Sequence, residues 1–139
     1  MELELDGQNY RIGKLDARAQ FHIMRRLAPV IGELAPALQG GKGGKGGIEA
    51  LPAIAGAIAK LTDADADYCI FGLLKVVSRK QPNGLGWGPV ATGELLMYDD
   101  IDMPQMLKLA WEALAFNMAG FFAAMPSALK EAVQKVSAP

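Results

Sequence analysis

The 139-residue chain is long enough for one domain and, with 51% hydrophobic residues, rich enough in apolar side chains to bury a core. A formal net charge of -1 and a pI near 5.8 give no general attraction to nucleic acid or to an acidic membrane surface, so neither is expected as a partner. One cysteine, Cys69, excludes an internal disulfide and a thiolate-built metal site, and one histidine, His22, must serve any histidine-dependent chemistry.

The start, MELELDGQNY, is acidic and alternating, unlike the basic start and apolar run of a signal peptide, so export by that route is not expected. Leu3 and Leu5 alternate with acids, Asp6-Gly7 offers a turn with positive φ, and Tyr10 and Ile12 resume the alternation, which predicts a small N-terminal β-hairpin. Next, Ala17, Phe21, Met24, Ala28, Ile31, Ala35 and Leu38 recur at gaps of four and three behind Asp16 as N-cap. This is an amphipathic helix, which Pro29 kinks or divides because proline lacks the amide donor.

Residues 39–47, QGGKGGKGG, fail the phosphate-loop test. The positions six before Lys45 and Lys42 are Gln39 and Pro36, where the motif needs glycine, and each lysine is followed by glycine, where it needs Ser or Thr. The run reads as a flexible Gly/Lys linker inside a single domain of residues 1–139, reaching up to about 30 Å when extended.

A second helix follows, with Ile48, Leu51, Ala55, Ile58 and Leu61 on one face. Thr62 and Asp65, spaced as a capping box, then open a third helix, TDADADYCIFGLLKVVSRK, whose apolar interior suggests a central position. Residues 81–93 are dense in Gly and Pro and predict a loop, followed by a short strand at ELLMY that pairs with residues 87–90. Asp102 as cap and Pro104 in the first turn begin the clearest helix. It carries two apolar stripes, one of Leu107, Trp111, Leu114, Met118 and Phe122, the other of Met106, Leu109, Ala113 and Phe116. Lys108, Glu112 and Asn117 within the apolar stretch 103–125 argue for a buried helix and against a membrane span. A tail helix on Leu129, Val133 and Val136 would complete a mainly α protein with a small β-hairpin, an α+β domain of four to five helices.

The remaining motifs carry little chemistry. GLGWGPVA matches G-x-G-x-x-A at Gly86, Gly88 and Ala91, but lacks the preceding buried strand and following helix that make this a dinucleotide site. DADADY starts like a calcium loop, then has Tyr68 where glycine is needed and Leu74 where the bidentate Glu belongs, so helix capping is the better reading of Asp63, Asp65 and Asp67. Cys69 lies in an apolar run, where a thiol is ordinarily inert packing. A small enzyme using His22, Asp99, Asp100 or Asp102 would need a pocket that gathers them from separate segments. No catalytic set, metal or cofactor is expected.

Two segments go further. YRIGKLDARAQFHIMRRLAPVI, residues 10–31, and GELLMYDDIDMPQMLKLAWEALAFNMAGFF, residues 93–122, resemble the N-terminal and C-terminal portions of the small tail assembly chaperones of tailed bacteriophages, over somewhat more than a third of the chain. The resemblance implies a nonenzymatic protein of the bacterial host cytoplasm, phage- or prophage-encoded, that binds the tape measure protein and keeps it soluble and extended during tail assembly. It further implies absence from the mature virion and the tail tube protein as a second partner.

Such work needs apolar surface offered to amphipathic helices. Met24, Leu27, Ile31, Met106, Met118, Phe121 and Phe122 are the candidate partner-binding residues, with core packing as the competing role of each. A mean hydropathy of +0.16 is compatible with a homo-oligomer. The alternative is a structural virion component, such as a head-tail connector or tail completion protein.

Overall fold

A computed structural model describes residues 1–30 and 51–124, the side chains of residues 51, 53, 54 and 120–124 excepted. The Gly/Lys run, Ile31 and the tail after residue 124 lie outside the described residues.

The chain opens with β1 (Glu2–Leu5) and β2 (Gln8–Ile12), paired antiparallel with Leu5 opposite Gln8. Asp6 and Gly7 make the turn with φ of 52° and 81°, the left-handed pair that matches the twist of the two strands. Alternation turns Tyr10 and Ile12 into the core and leaves Asn9 and Arg11 exposed. Next comes α1 (Ala17–Leu27), with Asp16 accepting from the Ala19 amide at 2.7 Å, and a 3-10 turn at Ala28–Val30 that holds Pro29; the predicted continuation through Ala35 and Leu38 lies outside the described residues. The described part of the second helix is α2 (Leu51–Ile58).

The third helix is shorter than expected. α3 (Asp63–Leu74) begins as predicted, with Thr62 Oγ1 accepting from the Asp65 amide at 3.1 Å, but ends at Leu74. Val77–Lys80 instead form β3, pairing Ile12 with Val77 and Tyr10 with Arg79. The open edge of β2 supplies the hydrogen-bonding partner, and the β-branched Val77 that opens β3 suits the extended backbone.

β4 (Trp87–Pro89) adds to β3, so the N-terminal hairpin is half of a four-stranded antiparallel sheet in the order β1-β2-β3-β4. ELLMY does not pair with Trp87. Its Leu95–Leu96 (β6) pairs with Ala91–Thr92 (β5) in a separate two-stranded ladder, continued by the Met97 amide donating to the Val90 carbonyl at 2.8 Å.

The chain then enters α4 (Met103–Ala124), so the described residues hold four α-helices beside the sheet. At its start Asp102 Oδ1 accepts from the Gln105 amide at 3.0 Å and Gln105 Oε1 accepts from the Asp102 amide at 3.2 Å, a reciprocal cap. The Gln105 side chain also donates to Asp6, tying the hairpin turn to the helix.

α4 is the hub. It packs against α2, α3 and β2, and every residue from Leu109 to Leu114 is buried. α1 closes the other side of α3. One core results, with Tyr10, Ile12, Ile23, Leu74, Val77, Leu109 and Met118 almost wholly removed from solvent.

Candidate functional site

Two helices packed along their length leave a furrow wherever the facing side chains are small. α1 meets α3 at such a place. Gly72 sits in the last turn of α3, and a Cβ there would lie 3.3 Å from Ile23 Cδ1. The missing side chain lets Ile23 settle against the α3 backbone. The β5–β6 ladder forms the remaining wall, and the three enclose an open cleft of about 610 Å³. Its lining is apolar at Leu15, Ala19, Ile23, Phe71, Pro89 and Ala91, and charged only at Asp67, Lys75 and Glu94.

The edge between α1 and α3 is held by Arg26, whose Nη1 donates to Asp65 at 2.8 Å and whose guanidinium lies 4.0 Å above the Tyr68 ring. Beyond the other end of α1, Asn117 of α4 clamps the connection from β2. Its Oδ1 accepts from the Leu15 amide at 2.6 Å and from Gln20 Nε2 at 3.3 Å, while its Nδ2 donates to the carbonyls of Gly13 at 3.2 Å and Ala113 at 2.8 Å. A second arginine cluster stands on the sheet. Arg79 donates to Asp100 at 2.8 Å and lies 4.4 Å over the Tyr98 ring. The hydrogen bond from Arg79 holds the Asp100 carboxyl below its ordinary range, and burial raises the Tyr10 phenol above its own.

The chemistry-bearing residues are occupied structurally. Cys69 is 3% exposed, and burial pushes its thiol up to about 11, far from the thiolate a nucleophile needs. His22 stands edge-on to the Phe21 ring, with centroids 5.3 Å apart. Asp65 serves Arg26, Asp100 serves Arg79 and Asp102 caps α4, so the acids singled out in the sequence are distributed among separate tasks. Among the described residues no three His, Cys, Asp or Glu side chains are grouped to hold a metal ion, and no helix is long and apolar enough to cross a membrane. GLGWGPVA enters β4 and not a helix, so it has no helix N-terminus for a pyrophosphate.

Of the seven candidate partner-binding residues, Leu27 and Met118 are core, at 4% and 2% exposure. Met24 and Met106 are half-buried and pack against that core. Ile31 and the side chains of Phe121 and Phe122 lie outside the described residues. Sequence reading passed over Ala19, Gly72, Thr92 and Glu94, which line the cleft. A glycine inside an otherwise apolar helix was the available signal, because it marks a close approach.

No curated protein and no solved structure is significantly similar to the chain. A family model described as phage tail assembly chaperone protein, TAC, matches residues 6–130, a span that takes in all three walls of the cleft and the whole of α4. The chain belongs to this family of phage tail assembly chaperones.

Proposed function

We propose that the protein is a nonenzymatic chaperone that binds the tape measure protein, keeps it soluble and extended in the host cytoplasm, and is shed before the virion is complete. The observation that carries this reading is the open cleft between α1, α3 and the β5–β6 ladder, apolar over most of its lining. A cleft of this kind offers an amphipathic helix the burial it would otherwise find by aggregating. Leu95 and Met97, at 66% and 50% exposure on and beside β6, extend apolar surface outside it. Met24 and Met106 are the candidate contacts whose partial exposure leaves them reachable.

Co-expression tests the proposal. The tape measure protein should remain in the supernatant and co-purify with the chaperone, and purified particles should lack the chaperone. A tape measure protein that pellets equally with and without it would overturn the reading. Stoichiometric presence in particles would favour a structural component.

A further inference from the structure

The exposed stripe of α3 inside the cleft runs Asp67, Tyr68, Phe71, Gly72, Lys75. It therefore has a direction. A carboxylate stands near the helix start and an ammonium at its end, about 12 Å apart along the axis at 1.5 Å per residue. Between them the surface is aromatic at Tyr68 and Phe71, with Ile23 packed over Gly72. Ala19 and Ile23 of α1 face the same space, and Glu94, between β5 and β6, adds a second carboxylate to the lining.

Charge and shape together select an occupant. A segment lying along α3 meets a negative site, two turns of apolar floor and a positive site, in that order. At Gly72 the Ile23 side chain of α1 closes over the helix, its Cδ1 3.3 Å from where a Cβ would stand, so the floor is apolar there too. The remaining exposed helix faces among the described residues do not fit. Arg18, Phe21 and Arg25 on α1 carry a base at both ends, so one end would meet Lys75 with like charge, and α2 has no acidic residue. α3 has the matching spacing but is itself a wall of the cleft, and a concave face cannot fill a second concave face.

Resting on the reading that the client is the tape measure protein, we propose that the cleft takes a two-turn amphipathic helix of that client. The helix presents Lys or Arg to Asp67 and Asp or Glu to Lys75, seven or eight residues apart. Its aliphatic side chains at i, i+3 or i+4, and i+7 lie over Ala19 and Phe71. A helix can lie along the cleft in either direction, so segments with one base and one acid at this spacing are held ahead of equally apolar segments with two bases or two acids there.

The test uses the full chain with overlapping 20-residue peptides that tile the tape measure protein, and a benzophenone photo-crosslinker placed at Thr92, an exposed residue of the lining. Crosslinks should map to peptides with a base and an acid seven or eight residues apart. Thr92→Trp, which fills the cleft from its exposed side, should weaken those peptides about tenfold or more. The single reversal Lys75→Glu changes one exposed side chain and should weaken them about tenfold, with affinity recovered for peptides carrying two bases at that spacing. Thermal melts establish that both variants fold.

Wild-type affinity in the folded Lys75→Glu variant, or Thr92 crosslinks that run to a second copy or to the chain's own residues, overturns the inference. If the wild-type protein still solubilises the tape measure protein in those cases, the chaperone reading stands and only the cleft is lost. If the wild-type protein binds neither the full-length tape measure protein nor its peptides, both fall.

Discussion

Replacing Asn117 by leucine removes the clamp between α4 and the β2–α1 connection while keeping the branched skeleton of the side chain, with two bulkier methyl groups in place of the amide. Three consequences follow from the geometry. The Leu15 amide, whose contact with Asn117 Oδ1 is 2.6 Å and buried, loses its acceptor. The Gly13 carbonyl loses a donor at 3.2 Å, and Gln20 loses one of its partners. The Ala113 carbonyl loses least, because it still accepts within the helix. A stranded buried amide costs about 1–3 kcal/mol and the secondary losses add a fraction of that, so the variant should lose about 2–3 kcal/mol, roughly 30- to 150-fold in the unfolding equilibrium.

Urea unfolding with an unchanged slope would measure the loss, and hydrogen exchange at the Leu15 amide would localise it. Asn117→Asp sharpens the test. It keeps the acceptor for Leu15 but points a carboxylate at the Gly13 and Ala113 carbonyls, so it should be worse near neutral pH than in acid, where protonation restores a donor. A loss below about 1 kcal/mol in Asn117→Leu, or undiminished protection of the Leu15 amide, would refute the reasoning.

Two further outcomes follow from single groups. Glu112 is 8% exposed, and burial raises its pKa against the opposing pull of Lys108, so the folded chain holds the proton to higher pH than the unfolded chain. Its penalty is therefore absent below the ordinary carboxylate range, grows as pH rises through the folded pKa and is complete above it. Glu112→Gln should accordingly raise the urea midpoint near neutral pH and lose that advantage at about pH 4, and an equal effect at both would contradict the assignment. Gly7→Ala meets no atom within 4 Å of the new Cβ, so its cost of about 1 kcal/mol would be purely that of φ +81°. Gly7→Asn should cost less, and equal stability of all three chains would show that the turn relaxes freely.

What was legible in the sequence was local. The Asp6-Gly7 turn and the caps at Asp16, Thr62 and Asp102 each depend on residues no more than three apart, and all four stand where the pattern put them. Val77–Lys80 was read as helix because VVSRK continues an apolar helical run, yet its conformation is decided by β2, which lies far back in the chain. The pairing of Trp87 with Lys80, seven positions back, instead of with ELLMY follows from the same cause, since β3 is available as a partner only because β2 has made it a strand.

Asn117 was visible as a polar residue in an apolar helix, but its partners Leu15 and Gly13 are more than 100 positions away. The cleft escaped notice for a related reason. Apolar periodicity marks which residues leave water, whereas a cleft is made where two helices meet over small side chains, and only Gly72 announced it.

The four-stranded sheet also determines which shape of visitor the protein turns away. Its two outer strands are β1, which carries the exposed acids Glu2 and Glu4, and β4, which ends in Pro89. A second β1 approaching edge to edge would bring carboxylates together, and a strand approaching β4 would find no amide at Pro89. Both borders thus discourage an extended polypeptide from adding itself to the sheet. For a protein whose family handles assembly intermediates, that is a safeguard: unfolded chain is not templated into growing β-structure, and contact with other proteins is channelled toward side chains and helical surfaces.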